Sequence, residues 1–335
     1  MTEINMNIQF FKPAKLLLSM CFCFTFFSSI SAIAQDAQNE REMLMRLDVH
    51  ESDYFSYRVT LNTTAKRYYP HVDAPNEYHR ELTYFISEHI GKIGTDGIVT
   101  LNANFDSITI YTKSGQAETR FNSQSHANTE SMDLNNPELR GTTMLLNKPF
   151  TFRMTLDGDY IDHGGWEQWT TMIDTASFFS DAKKYAWEEY MNDDFLRSEL
   201  LTSAGFTYNK RYYDLEDWTQ PITQLIFKTP VLDSTHFHIE IPKSHALIVA
   251  YAAGNLYGVP GKTKIYEHGY LYPSTIDSLS GKSRDTISFA KQGYTLFHSR
   301  ASDINMLCHE QDGKTPFDEN IHETMEVKLL YVEQH

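Results

Sequence analysis

Hydrophobic and polar positions alternate along most of this chain. From Tyr54, the residues Tyr57, Val59 and Leu61 fall on one side and Ser56, Arg58 and Thr60 on the other, the two-residue period of a half-buried strand. The stretch HRELTYFISEHI puts Leu82, Tyr84, Ile86 and Ile90 in one register. GTDG at 94–97 then predicts a hairpin turn. Val99, Leu101, Ala103 and Phe105 align, and the register slips by one at Ile108 and Ile110, the mark of a β-bulge. KSGQ at 113–116 predicts a second turn, residues 122–142 a loop, and the Asp157-Gly158 pair a turn after the alternating run Phe150, Phe152, Met154. The first half therefore reads as an antiparallel meander with one face buried.

At Gly164-Gly165 the period changes. Trp166, Trp169, Ile173 and Ala176 recur at three- and four-residue steps, and Trp187, Met191, Leu196 and Leu200 extend them. A break near Ser180 makes two helices within 166–204, with Gly205 as the stop. Strand patterns then return in QLIFKTP, HFHIEIP and HALIVAYAAG, and run on to the closing EVKLLYVE. The predicted fold class is α+β, predominantly antiparallel β: a curved meander sheet or half-barrel with a helical insertion at about 166–204. Residues 54–204 form the meander plus helical segment, and the β-rich half 205–335 either stands alone or completes the same sheet.

The N-terminus changes the picture of location. Lys12 and Lys15 precede the uncharged apolar run LLLSMCFCFTFFSSI, and Ser31 to Ala34 end in the small-x-small pattern of a signal peptidase site. Residues 1–34 are thus expected to be a signal peptide and 35–53 a polar linker, with export to the periplasm or beyond. The remaining 301 residues have no apolar run long enough for a membrane helix. Removal of 1–34 also removes Cys21 and Cys23, so Cys308 is left alone and the core must hold the fold without a disulfide. Net charge moves from −15 to −16 on that removal, which excludes nucleic acid as a partner.

The stretch TYFISEHIGKIGTDGIVTLNANFDSITI, followed by LLNKPFTFRMTLDGDYID, resembles the secreted β-rich proteins of domain-of-unknown-function family 6263 over residues 54–200. The matching positions are Asp96-Gly97, Ile108, Ile110, Lys148-Pro149-Phe150 and Asp157-Gly158, with Asn147 standing where that family often has Gly. The resemblance implies an exported, antiparallel β protein of the bacterial envelope and carries no activity. The strand order also resembles the half-barrel of lipoprotein carriers, in which a sheet wraps an apolar cavity.

Two sets of residues carry candidate chemistry. His236, His238 and Glu240 share one face of the HFHIE strand, where alternate imidazoles can converge on a zinc ion. A solvated strand face is the commoner reading of such a pattern, and a metal would need a further ligand such as His245 or His268. Trp166, Trp169, Ile173, Phe179 and Trp187 form an aromatic stripe that either fills the concave side of the sheet or lids an apolar ligand. The acids of WEEYMNDDF do not have calcium-loop spacing. His163-Gly164-Gly165 has no G-x-S-x-G nucleophile motif to serve, and the chain has no H-E-x-x-H, phosphate loop or dinucleotide fingerprint. The pattern gives no catalytic residue and no cofactor. The expected function is an exported, non-catalytic envelope protein binding an apolar ligand or lipidated partner. A cell-surface interaction module without a cavity is the alternative, and a hydrolase comes third.

Overall fold

The computed structural model describes residues 41–125, 146–165, 167–168, 171, 210–227, 229–261, 264–265, 274–310 and 313–335. Alternation becomes strand in the first half as β2 (Tyr54–Tyr68), β3 (Asn76–Ile93), β4 (Ile98–Ser114), β5 (Ala117–Asn122), β6 (Phe150–Thr155) and β7 (Tyr160–Gly164). The expected turns fall at Gly97, Gly115 and Gly158, all with positive φ, a conformation open to glycine because it has no Cβ. The expected bulge is present. Phe85 pairs with Ser107 while Ile86 pairs with Phe105, which leaves Asp106 as the extra residue. Its carboxylate accepts hydrogen bonds from Ser87 Oγ (3.0 Å) and Asn104 Nδ2 (2.7 Å).

The second half forms β8 (Lys210–Tyr213), β9 (Asp217–Ile226), β10 (Thr229–Glu240), β11 (Leu247–Gly258), β12 (Lys264–Ile265), β13 (Ser274–Ala290), β14 (Thr295–His309) and β15 (Pro316–Glu333). QLIFKTP, which reads as a strand, is instead the tip of the β9–β10 hairpin, because Ile226 pairs with Thr229. Phe227 at the turn has φ 46°. A turn built on phenylalanine rather than Gly or Asn carries no turn signal in the sequence. The linker reading of 35–53 also needs correction. Glu42–Met45 is a strand, β1, paired with β8, and Met43 and Met45 are buried. Four residues are too few for alternation to stand out from a polar neighbourhood. Of the expected helical segment, Glu167, Gln168 and Thr171 are helical; Trp166, Trp169, Ile173, Phe179, Trp187 and the rest of 172–204 lie outside the described residues.

One sheet takes thirteen of these strands, in the order β7-β6-β4-β3-β2-β15-β14-β13-β11-β10-β9, with β5 on β4 and β12 on β13. Every ladder is antiparallel. The chain thus forms two meanders, one on each side of the β2–β15 pair, so its last strand closes against its first long one. The sheet is open, with β7 and β9 as its edges. It is also strongly curled. Arg300 on β14 donates to Gln224 Oε1 on β9 (2.9 Å), although three strands separate them in the ladder order. The end of β9, from Gln224 to Phe227, is buried on consecutive residues, hence on both faces. The hairpin tip is tucked inside the curl.

Inward-facing residues form two apolar clusters along the strands. The larger includes Phe55, Leu61, Tyr84, Phe105, Phe150, Phe152 and Phe237; the smaller includes Tyr78, Ile226, Phe227, Ile304 and Phe317. Strands of up to 18 residues, roughly 60 Å long at the usual rise, have room for both clusters and a layer between them.

Candidate functional site

The layer between the clusters is polar. Thr112, Arg80, Thr63, Glu323, Ser302, Ser283, Gly254 and Thr235 lie in one row across β4, β3, β2, β15, β14, β13, β11 and β10, each directly opposite the next. All of the side chains in that row are buried. Glu323 is its hub. Its carboxylate accepts from Thr63 Oγ1 (3.0 Å), the Phe227 backbone N–H (3.1 Å) and Arg300 Nη2 (3.3 Å), with Arg80 Nη2 at 3.6 Å. Four residues along the same two strands, Arg67 pairs with Glu319 at 3.0 Å, both buried, and lies 4.0 Å over the Phe317 ring. Gln224 Nε2 (2.7 Å) and Ser283 Oγ donate to Asp233. Burial pushes the Asp233 carboxyl above the usual range, against the opposing pull of the Ser283 and Thr235 hydroxyls and of Arg300. Asp233 fits because Gly254, its diagonal neighbour on β11, has no Cβ, which would collide with its Oδ1.

Three guanidiniums and three carboxyls so placed tie distant strands together. Removing one member would strand another charge in low dielectric, so the belt fixes register more than it adds stability. No sequence signal marks it, since Thr63 and Glu323 are 260 residues apart.

A different acid stands in the larger apolar cluster. Glu88 follows Leu82, Tyr84 and Ile86 on the inner face of β3 and precedes Ile90. Its ladder neighbours are Phe55 on β2 and Ala103 on β4. Among the described residues Glu88 has no hydrogen bond or ion pair. Burial alone pushes its carboxyl up to about 8.

The residues expected from the sequence lie elsewhere. His236, His238 and Glu240 share a face as the alternation requires, and that face is the outer one; Phe237, Ile239 and Ile241 point into the core. Asp217 on β9 sits 3.3 Å from His236 Nε2 and 3.0 Å from His238 Nδ1, while Glu240 accepts from the Tyr251 hydroxyl at 3.4 Å. Among the described residues no three His, Cys, Asp or Glu side chains stand together in a way that could hold a metal ion. Inside, Trp218 stacks on Phe237 at 4.9 Å, and Lys210 Nζ lies 4.9 Å over Trp218. Trp218 was not among the residues expected from the sequence, because the β9 hairpin was not legible.

No family model matches the chain, and no curated protein matches it. Among solved structures it is similar to lipovitellin, described for its lipid–protein interactions, at 7% identity and a TM-score of 0.42. That match covers 85% of this chain and 26% of lipovitellin, so the chain spans about a quarter of its length. It is also similar to an outer-membrane channel from Pseudomonas putida F1, at 8% identity and a TM-score of 0.25, over 84% of this chain and 97% of the channel. The likeness goes no further than an extended antiparallel sheet. The polarity of the two faces is a property of this chain itself. Arg58, Thr60, Asn62, His322, Glu326 and Lys328 lie on the outer face of β2 and β15, and the apolar residues point inward. A barrel that spans a membrane has an apolar band outside. On β2 and β15 the outer face is thus polar and the inner face apolar, and no described helix is long and apolar enough to cross a membrane.

Proposed function

We propose that the chain is an exported, non-catalytic protein of the cell envelope that holds an apolar ligand, or the lipid of a lipidated partner, against the inner face of its curled sheet. One observation carries this reading. The inner face keeps accessible apolar surface: Tyr57, Trp218, Ile222, Tyr294 and Leu329 pack on the larger cluster and are only half-buried. An open sheet with that polarity is a concave apolar surface with an entrance, the usual form of a small-ligand site. Two further points support it. The acids and guanidiniums of the belt are spent on one another, which favours a binding role over a catalytic one. The N-terminal signal pattern and the hairpin grammar shared with family 6263 favour export.

Native mass spectrometry of the mature protein, purified gently from its own envelope, tests the reading. A retained mass of lipid size is the expected result. A bare mass, together with no uptake of apolar dyes, would overturn it in favour of a surface interaction module.

A further inference from the structure

Glu88 gives that reading a ligand chemistry. On the inner face, ladder pairing places Phe150, Ala103, Glu88, Phe55 and Val332 in one row across β6, β4, β3, β2 and β15. Every member except Glu88 is apolar. Tyr57 stacks on Phe55 with centroids 6.4 Å apart, and Tyr294 meets Phe55 at 5.3 Å. Phe105 stacks on Phe150 at 5.8 Å. Glu88 is only half-buried although Ala103 and Phe55 on either side of it are buried, so part of its side chain stays accessible beside the smallest side chain of the row, Ala103. The next acid along this face, Asp53, is committed: it accepts from the backbone N–H of His50 (2.8 Å) and of His335 (2.9 Å).

We infer that Glu88 is the recognition group for the cationic head of an amphiphile, an amine or ammonium with an apolar tail, held by its carboxylate and the half-buried rings of Tyr57 and Tyr294 beside Phe55. Three features of the site choose this class. Unlike Glu319 and Glu323, Glu88 bridges no strands and costs stability in the free protein. A cation satisfies the carboxylate and gains from the aromatic faces at the same time. An anionic head would be repelled by the carboxylate and could pair only with its protonated form, and a purely apolar ligand would leave the carboxyl unmet. In the free protein near neutral pH Glu88 holds its proton. An arriving ammonium stabilises the carboxylate, and the proton passes to solvent. Among the described residues the titratable groups nearby on this face are Tyr57, Tyr294 and the Asp53–His50 pair at the rim, and the neighbours of Glu88 on β4, β6 and β15 are apolar.

The inference rests on the apolar-ligand reading, and one experiment separates the two. Dodecylamine, dodecanol and dodecanoate are titrated calorimetrically, below their aggregation limits, into the mature protein and its Glu88→Gln variant, in buffers of different ionisation enthalpy. The expected result is dodecylamine binding about tenfold or more tighter than dodecanol, with release of roughly one proton. Glu88→Gln should abolish that preference, so that amine and alcohol bind the variant alike. Equal binding of amine and alcohol, a preference for dodecanoate, or an amine preference that survives Glu88→Gln would overturn the role of Glu88 while the carrier reading stands. Binding of none of the three would overturn both.

Discussion

Glu323 on the last strand accepts a hydrogen bond from the backbone N–H of Phe227, 96 residues earlier, at 3.1 Å. Phe227 sits in the left-handed region (φ 46°) at a buried hairpin tip, with its ring 4.8 Å from the Arg80 guanidinium and 5.4 Å from the Tyr78 ring. A bulky residue in that conformation is strained by about 1–3 kcal/mol, and these contacts hold it there. They also hold the curl of the sheet, because the tip of β9 reaches β15 and β3 only when the sheet wraps round.

The hub of this contact should be costly to lose. Glu323→Ala leaves Arg80 and Arg300 buried beside an empty site and should destabilise the protein by roughly 3–5 kcal/mol. Glu326→Ala, three residues further on and paired to Arg58 on the exposed face (2.8 Å), should cost less than about 1 kcal/mol. Urea denaturation of both variants measures the contrast. Similar losses would mean that the belt does not hold the curl.

Glu88 makes stability depend on pH with a definite sign. Its folded value of about 8 stands above the ordinary 4.5, so between those values the folded state binds a proton that the unfolded state has lost. This contribution to stability falls as pH rises from about 4.5 to about 8, by up to a few kcal/mol. Glu88→Gln removes that dependence. The variant should match the wild type near pH 4.5 and exceed it near pH 8.5 in urea melts; a constant difference across that range would refute the assignment.

Gly254 and Asp233 are coupled by volume. A Cβ at position 254 would collide with the Asp233 carboxylate, so Gly254→Ala should cost about 1–3 kcal/mol by overpacking. In an Asp233→Ala background most of that cost should vanish. A double-mutant cycle by thermal melting reads the coupling directly, and additive losses would place the clash elsewhere.

Cys308 is fully buried on β14, in the smaller cluster. In the mature chain its thiol should react with a disulfide reagent only when that end of the sheet opens. The reaction rate should therefore rise with urea in step with unfolding. Rapid labelling in the native state would show that the smaller cluster opens on its own.

Local geometry was legible wherever a glycine or a period marked it. The turns at Gly97, Gly115 and Gly158 and the bulge at Asp106 follow from adjacent residues, so the order of letters suffices. The β9–β10 hairpin was not legible because Phe227 occupies a conformation its side chain disfavours, and only tertiary contacts explain it. The alternation placed His236 and His238 on one face, and Phe237 and Ile239 on the other, correctly. It could not say that Asp217 would come to stand between the two imidazoles, since that depends on which strand pairs with β10. Glu88 was passed over for a similar reason. In sequence it is one acid among many, and only the ladder reveals that its neighbours on both sides are apolar.

The sequence by itself determined the class of this fold: long alternating strands, tight turns at their glycines, and one apolar face against one polar face. Those are properties of contiguous residues, decided by the two-residue pleat and by which positions tolerate positive φ. Tertiary structure alone decided that β15 closes against β2, that the sheet curls until β9 meets β14, and that seven buried polar side chains, Thr63 and Glu323 among them, line up with Gly254 as a belt. Each of these depends on pairing between segments far apart in the chain, where many registers share the same alternation. The buried charges select one register, because any other would leave them unpaired.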